Sequence, residues 1–364
     1  MITLNNLWTN VRTRMVLLLL ALVGAALVAG ACGGGEKTTT TGSAQKVTVK
    51  IQDNTFETNW IENAIVKFIV EKGYGHQVEE VVLNTVAGQT ALQKGDIDVN
   101  IELWPGNFQD WYNEEIAKGT IVKLGDIYGG GDQFWVIPQW VSEQYKVKTV
   151  EDMKRPEVVK LFEDPEDPKK GAFFNCIIGW QCQAINAAKL NTYGLDTFYN
   201  VVEPGSAAAL DVALVGAMKK KQPVFGYYWA PTSIYGAYEW HILEEPTWTK
   251  ECWDEVLKGR DAIAKGDAAY TAKLACAYET QPTEVVVSKR FAEEGPPELV
   301  DFFKKINVGT AQVSQTAAWA VENDIQGEWD KAAIYYLKTY EDRWTTWMPA
   351  DKVQKVKEAL QTAS

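Results

Sequence analysis

Apolar and polar residues alternate from Val47 to Ile51 and predict a short strand. The next apolar positions, Ile61, Ala64, Ile65, Phe68 and Ile69, recur three and four residues apart and predict a helix from Trp60 to Glu71 that ends at Gly73. A strand from Val78 to Leu83 follows, then a short helix reaching Lys94 and Gly95. Ile97, Val99, Ile101 and Leu103 alternate with Asp98, Asn100 and Glu102 until Trp104-Pro105 stops the run. A second unit begins after Gly129-Gly130-Gly131 with the apolar stretch Phe134 to Pro138. It crosses a charged, proline-punctuated region from Glu163 to Pro168 and reaches another strand, Pro223 to Trp229. Val285, Val286 and Val287 form a late strand that leads back to the first unit, and from Pro297 the chain reads as helices rich in Trp and Tyr. Strands alternating with helices predict an α/β fold.

The N-terminus has a different pattern. Arg12 and Arg14 precede an uncharged run of 16 residues, Met15 to Gly30, in the order of a secretory signal. The run is short for a membrane-spanning helix of about 20 residues. It passes through Ala29, Gly30 and Ala31 into Cys32, which resembles the lipobox of bacterial lipoproteins. That resemblance implies removal of residues 1–31 as a signal peptide and a lipid on Cys32; an uncleaved anchor helix is the alternative. Either outcome places the remainder outside the cytoplasm. Residues 32–46 hold the sequence GGGEKTTTTGSAQ without apolar periodicity, which predicts a flexible tether reaching about 20 Å.

With 48 acidic against 36 basic residues the chain carries a formal charge of −12, which excludes a phosphate-tracking protein and leaves no nucleic-acid partner. Of five cysteines, Cys32 is spoken for, and four remain in an oxidising compartment, so two disulfides are expected: Cys176 with Cys182, and Cys252 with Cys276. No CxxC occurs and there are only two histidines, so no metal site is expected. GxSxG, HExxH, GxxxxGK[ST] and GxGxxG are all missing, which predicts neither catalysis nor a cofactor. His76 and His241 read as surface or capping residues, Glu114-Glu115 and Glu244-Glu245 as a solvated acidic face, and Lys219-Lys220-Lys221 as a solvated helix end.

Tryptophan is over-represented, with 15 residues. Three of them sit where an α/β protein presents side chains to a crevice: Trp104 and Trp229 at strand ends before a proline or Ala-Pro, and Trp180 between Cys176 and Cys182. Indole faces carry negative quadrupole density and attract a quaternary ammonium group, which cannot be held by hydrogen bonds, with about 0.5 to 2 kcal/mol per wall. Three walls supply about half of the roughly 8 kcal/mol that a micromolar dissociation constant requires. A helix starting near Gln183 exposes the backbone N–H groups of Gln181 and Cys182, a site for a carboxylate. A zwitterion satisfies both ends.

At these residues the chain resembles the substrate-binding proteins of bacterial glycine betaine/proline betaine ABC transporters. The similar segments are Gly95 to Asp98, Glu102 to Asn107, Gln144 to Lys146, Lys160 to Phe162, Cys176 to Asn186, Lys221 to Pro231 and Asp324 to Gly327. The resemblance implies a two-lobed periplasmic-binding-protein fold of type II with the ligand in the cleft between lobes. Lobe I is expected at 47–133 plus 283–364 and lobe II at 134–282, hinged near 133–136 and 280–285. It implies a trimethylammonium box of Trp104, Trp180 and Trp229, and a carboxylate held by the N–H groups of Gln181 and Cys182. The family's histidine after the first Trp is missing, and Asn107 is the nearest polar match. Gln181 stands where the family has a small Gly, and Ile177-Ile178 where it has a more polar pair. The implied protein is a lipid-anchored solute-binding protein that hands a betaine to an ABC permease and its ATPase subunit. Two other readings compete: a binding protein for choline or another quaternary amine, and a carbohydrate-binding or carbohydrate-cleaving surface lipoprotein, for which Glu102 is the only strand-end acid beside a candidate Trp. Trp111, Tyr112, Tyr227 and Tyr228 are expected to be packing residues.

Overall fold

A computed structural model describes residues 46–267, 270–325 and 327–363. The expected signal peptide, Cys32, the tether as far as Gln45, and Gln326 lie outside the described residues.

The chain enters on β1 (Thr48–Asp53) and turns into the helix Glu57–Phe68, which widens into a π-helical turn, Ile69–Tyr74, and ends at Gly75 in the left-handed conformation (φ 80°). β2 (Gln77–Val82) returns parallel to β1. The helix Thr85–Lys94 is capped by the Asn84 side chain, which accepts from the Ala87 N–H, and stops at Gly95, also left-handed (φ 74°). β3 (Val99–Leu103) follows, and all five of its residues are buried. The alternation there predicts one wet face, but the strand is covered on both sides, so Asn100 and Glu102 are enclosed along with their apolar neighbours.

β4 (Ile121–Pro138) runs 18 residues without a break. The glycine triplet expected to separate two units lies inside it. The strand's first part pairs antiparallel with β10 (Gln281–Ser288), and from Asp132 onward it pairs with β8 (Gly226–Ala230) and β9 (Trp240–Ile242). The glycines thus mark the passage of one strand from one sheet into another. The proline-punctuated region forms a hairpin, β5 (Glu163–Asp164) with β6 (Asp167–Phe174), and β7 (Tyr199–Val202) pairs parallel with β6. The order is β2-β1-β3-β10-β4-β8-β6-β5, with β7 and β9 off this path.

Two separate large cores result. One joins β1, β3 and β10 to the helix Glu57–Phe68 and the C-terminal helices through Ile61, Ile65, Phe302, Tyr336 and Trp344. The other surrounds the far end of β4 and β6, where Trp135, Phe173 and Phe225 meet with ring centroids 4.7 to 5.8 Å apart. Both expected disulfides are present. Among the described residues no helix is long and apolar enough to cross a membrane, and no three His, Cys, Asp or Glu residues are grouped to hold a metal.

Several polar residues are more enclosed than their sequence context implies. His76 is buried rather than on the surface: its Nδ1 lies 3.3 Å from the Val47 N–H and its Nε2 3.4 Å from Glu298. Glu114 and Glu244 are exposed, as are Lys219, Lys220 and Lys221. Glu115 is instead buried against Thr120 and Lys118, and Glu245 pairs with Lys189 at 2.7 Å, their side chains 2% and 0% exposed. The Lys189 ammonium also lies over the rings of Tyr278 (4.3 Å) and Trp135 (4.9 Å). These partners offset the cost of burying both charges, and removing one strands the other. Lys189→Ala is therefore expected to lower unfolding stability by about 3 to 5 kcal/mol, measured by urea denaturation at neutral pH; an unchanged midpoint contradicts this role.

Candidate functional site

β3 ends at Leu103, and the chain turns at Trp104 into a 3-10 turn, Pro105–Phe108. That turn is fastened at both edges. The Gly106 N–H donates to Gln281 Oε1 (2.6 Å), and Trp253 Nε1 donates to the Gly106 carbonyl (2.8 Å). The Trp104 ring lies over Gly131 of β4, where a Cβ would come within 2.8 Å of the indole. Its Nε1 donates to Glu102 Oε1 at 3.2 Å. Two residues beyond Gly131, Gln133 is in register with Trp229 of β8. One strand therefore sets the position of two of the three selected tryptophans.

Trp180 is the N-cap of the helix Gln181–Tyr193 and is held in the Cys176–Cys182 loop. Its ring meets Trp229 edge-to-face, with centroids 5.6 Å apart and planes at 76°. Phe56, which caps the helix Glu57–Phe68, turns toward both, 5.3 Å from Trp180 and 6.2 Å from Trp229. Beneath Trp229 lies Tyr227, stacked at 6.1 Å. These rings line a cavity offering about 70 Å³ to the centres of water molecules. Trp104, Asn107, Trp180, Gln181, Cys182 and Trp229 all line it.

Around the aromatic walls runs a set of amides. Asn107 and Gln133 exchange hydrogen bonds of 3.1 and 2.9 Å, and Tyr227 donates its hydroxyl to Gln133 Oε1 at 3.0 Å. Asn107 retains a second amide hydrogen on Nδ2. On the opposite wall Asn100 donates to Gln52 Oε1 (2.9 Å) and Asn54 donates to Asn100 Oδ1 (3.2 Å). The N–H groups of Gln181 and Cys182 occupy the first turn of their helix, ahead of any i−4 carbonyl, and carry its positive end. The cavity thus has an aromatic part for an apolar or cationic group and hydrogen-bond donors for an anionic one.

Phe56, Gln52, Asn54, Asn100, Glu102, Gln133 and Tyr227 belong to the lining as well. Tyr227 therefore does more than pack. Tyr228 and Tyr112 use their hydroxyls on Asp211 and Glu284, and Trp111 packs against Phe108. A further contact ties the two halves together beside Phe56: Ser233 donates its N–H (2.9 Å) and hydroxyl (2.7 Å) to the Glu57 carboxylate. Burial raises the pKa of Glu57, and these two bonds from Ser233 oppose the rise.

Two cores, a strand shared between their sheets and an aromatic cavity lined from both define a two-lobed α/β protein of the periplasmic-binding-protein fold. Residues 47–339 match the substrate binding domain of the ABC-type glycine betaine transport system, and the chain belongs to that family. It is 24% identical over 308 residues to the glycine betaine/proline betaine-binding periplasmic protein of Escherichia coli (strain K12), covering 82% of this chain and 86% of that protein. Its fold is similar to the glycine/betaine/L-proline-binding protein ProX from Borrelia burgdorferi, with TM-score 0.66, 17% identity, and 85% and 99% of the two chains covered. It is also similar to an ABC-transporter choline binding protein in complex with choline, with TM-score 0.64, 15% identity, and 86% and 98% covered.

The seating of Trp104 on a glycine yields a direct check. Gly131→Ala forces the indole or strand β4 to shift and is expected to cost about 1 to 3 kcal/mol in urea unfolding. Gly129→Ala, with open space at its Cβ position, is expected to stay within about 0.5 kcal/mol of the parent protein. Equal effects at the two positions contradict the close contact.

Proposed function

We propose that the protein captures glycine betaine or a related quaternary ammonium osmolyte in this cavity and delivers it to an ABC permease and its ATPase subunit. The observation carrying this reading is the convergence of Trp104, Trp180 and Trp229 on one cavity that also holds the start of the helix Gln181–Tyr193. The trimethylammonium head lies among the three indoles, attracted by their faces. The carboxylate takes the N–H groups of Gln181 and Cys182 and the free amide hydrogen of Asn107. No bond is made or broken and no cofactor takes part.

In this reading lobe I comprises 47–133 with 283–364 and lobe II comprises 134–282, a division supported by the two large cores. Phe56 and Trp104 come from the first lobe and Trp180 and Trp229 from the second, so a ligand that touches all four favours the closed arrangement. Lipidation of Cys32 holds the protein at the outer face of a membrane, with the tether letting it reach the permease. Choline is the second reading, and the buried Glu102 in the cavity wall favours it, because a carboxylate near the cage suits a cation that lacks its own negative end. The edge-to-face packing of Trp180 on Trp229 speaks against a flat sugar platform.

Trp180→Ala and Trp229→Ala are each expected to weaken betaine binding by about 1 to 2 kcal/mol, measured by calorimetric titration. Parent-like affinity in both variants removes the cage. Reduction of Cys176–Cys182 loosens the helix start and is expected to weaken glycine betaine more than tetramethylammonium, which has no carboxylate. Equal losses for both ligands contradict the assignment of the carboxylate to Gln181 and Cys182.

A further inference from the structure

Resting on the reading of the cavity as a quaternary ammonium site, we infer that Glu102 and Glu62 form a carboxyl pair sharing one proton, whose remaining negative charge stands against Trp104 and selects for a cationic ligand head. Glu102 belongs to β3 and Glu62 to the helix Glu57–Phe68; they are 1% and 0% exposed. Every donor on Glu102 goes to Oε1: Thr58 Oγ1 at 3.1 Å, Trp104 Nε1 at 3.2 Å, and the Tyr128 hydroxyl. Its Oε2 has no donor, nor has either oxygen of Glu62. The two carboxyl groups are near enough that charge on Glu102 opposes ionisation of Glu62, and two buried neighbours of this kind are relieved by a proton held between them. A proton placed there partners Glu102 Oε2 with one oxygen of Glu62 and leaves the pair with a single charge.

The surroundings leave that charge uncompensated. The helix Glu57–Phe68 contributes Thr58 and Glu62, β4 contributes Tyr128, β10 contributes Thr283, and the helix Trp329–Thr339 places Tyr336 near Glu62. The β1 side offers the uncharged amides of Gln52 and Asn54. Arg343 lies beyond Tyr336 and is engaged by Asn307. Glu284 of β10 bonds with Tyr112 and Lys123 instead. Neither Glu62 nor Glu102 forms an ion pair among the described residues. With no cation paired to either carboxyl among the described residues, the positive head of a ligand can supply the missing charge. Glu102 itself lines the cavity, and by accepting the Trp104 N–H it raises electron density on an indole that walls the cage.

The titration follows from burial. It pushes Glu102 up to about 7, against the hydrogen bonds from Tyr128, Thr58 and Trp104, and raises Glu62 well above its ordinary value, with repulsion from Glu102 adding to the rise. Both shifts favour a proton on the pair, and Glu102 gains one as the pH falls through about 7. The pair then becomes neutral, so affinity for a cationic head declines on acidification.

The test titrates the purified protein with tetramethylammonium, choline and the uncharged choline analogue 3,3-dimethylbutan-1-ol between about pH 8 and pH 5.5. The parent protein is expected to lose about tenfold in affinity for both cations over this range and to hold the neutral analogue unchanged. Glu102→Gln is expected to weaken the cations about tenfold at pH 8 and to abolish the pH dependence. Glu62→Gln places an amide donor beside Glu102 Oε2, keeps that carboxylate ionised, and is expected to retain affinity while moving the decline to lower pH. A merely structural pair weakens binding alike in both variants, and melting curves without ligand identify a variant that fails to fold. Binding and pH profile unchanged in Glu102→Gln, or equal loss in both variants, overturns the inference. A parent protein that binds neither cation overturns the ammonium site itself and this inference with it.

Discussion

The site depends on the register of one strand. β4 leaves the sheet it shares with β10 and joins the sheet it shares with β8. Gly131, at that passage, has no side chain, and the Trp104 ring occupies the space. Two residues on, Gln133 sits opposite Trp229 and binds the amide of Asn107. A slip of one residue would turn each of these side chains to the other face. The walls and the polar edge of the cavity thus share a single mechanical reference.

Around that reference the chain places side chains that are costly elsewhere. Trp180 and Phe56 meet Trp229 edge-to-face, an arrangement that suits aromatic quadrupoles and leaves indole surface facing the cavity. The disulfide holds Trp180 at the start of its helix, so the helix's positive end and the indole arrive together. Two carboxyls stand nearby, Glu102 buried behind Trp104 and Glu57 half-buried on Ser233. The more ordinary buried ion pair, Lys189 with Glu245, lies in the core on the β6 side.

Much of this is legible in the sequence, and the exceptions have physical causes. Period-two alternation finds β1 and β3, and helical spacing finds the helix after β1, because those elements bury one regular set of apolar residues. A Trp before proline at a strand end, and a Trp within a short cysteine loop, are local signals that lead to Trp104, Trp180 and Trp229. The unbroken course of β4 is hidden because its glycines look like a boundary, and only pairing with β10 and β8 shows that they lie within a strand. Phe56 carries no local signal, since a lone apolar residue before a helix is commonplace. Asn100 and Glu102 look like the wet face of a half-buried strand, and Glu62 like the polar side of a helix. Their enclosure is a property of the packed fold.

The most direct measurement is a tryptophan-fluorescence titration of the purified protein with glycine betaine, choline and a neutral sugar. A saturable response to the quaternary ammonium compounds at about micromolar concentration, with none to the sugar, is the expected result. Silence toward both ammonium compounds would contradict an aromatic cage built from Trp104, Trp180 and Trp229.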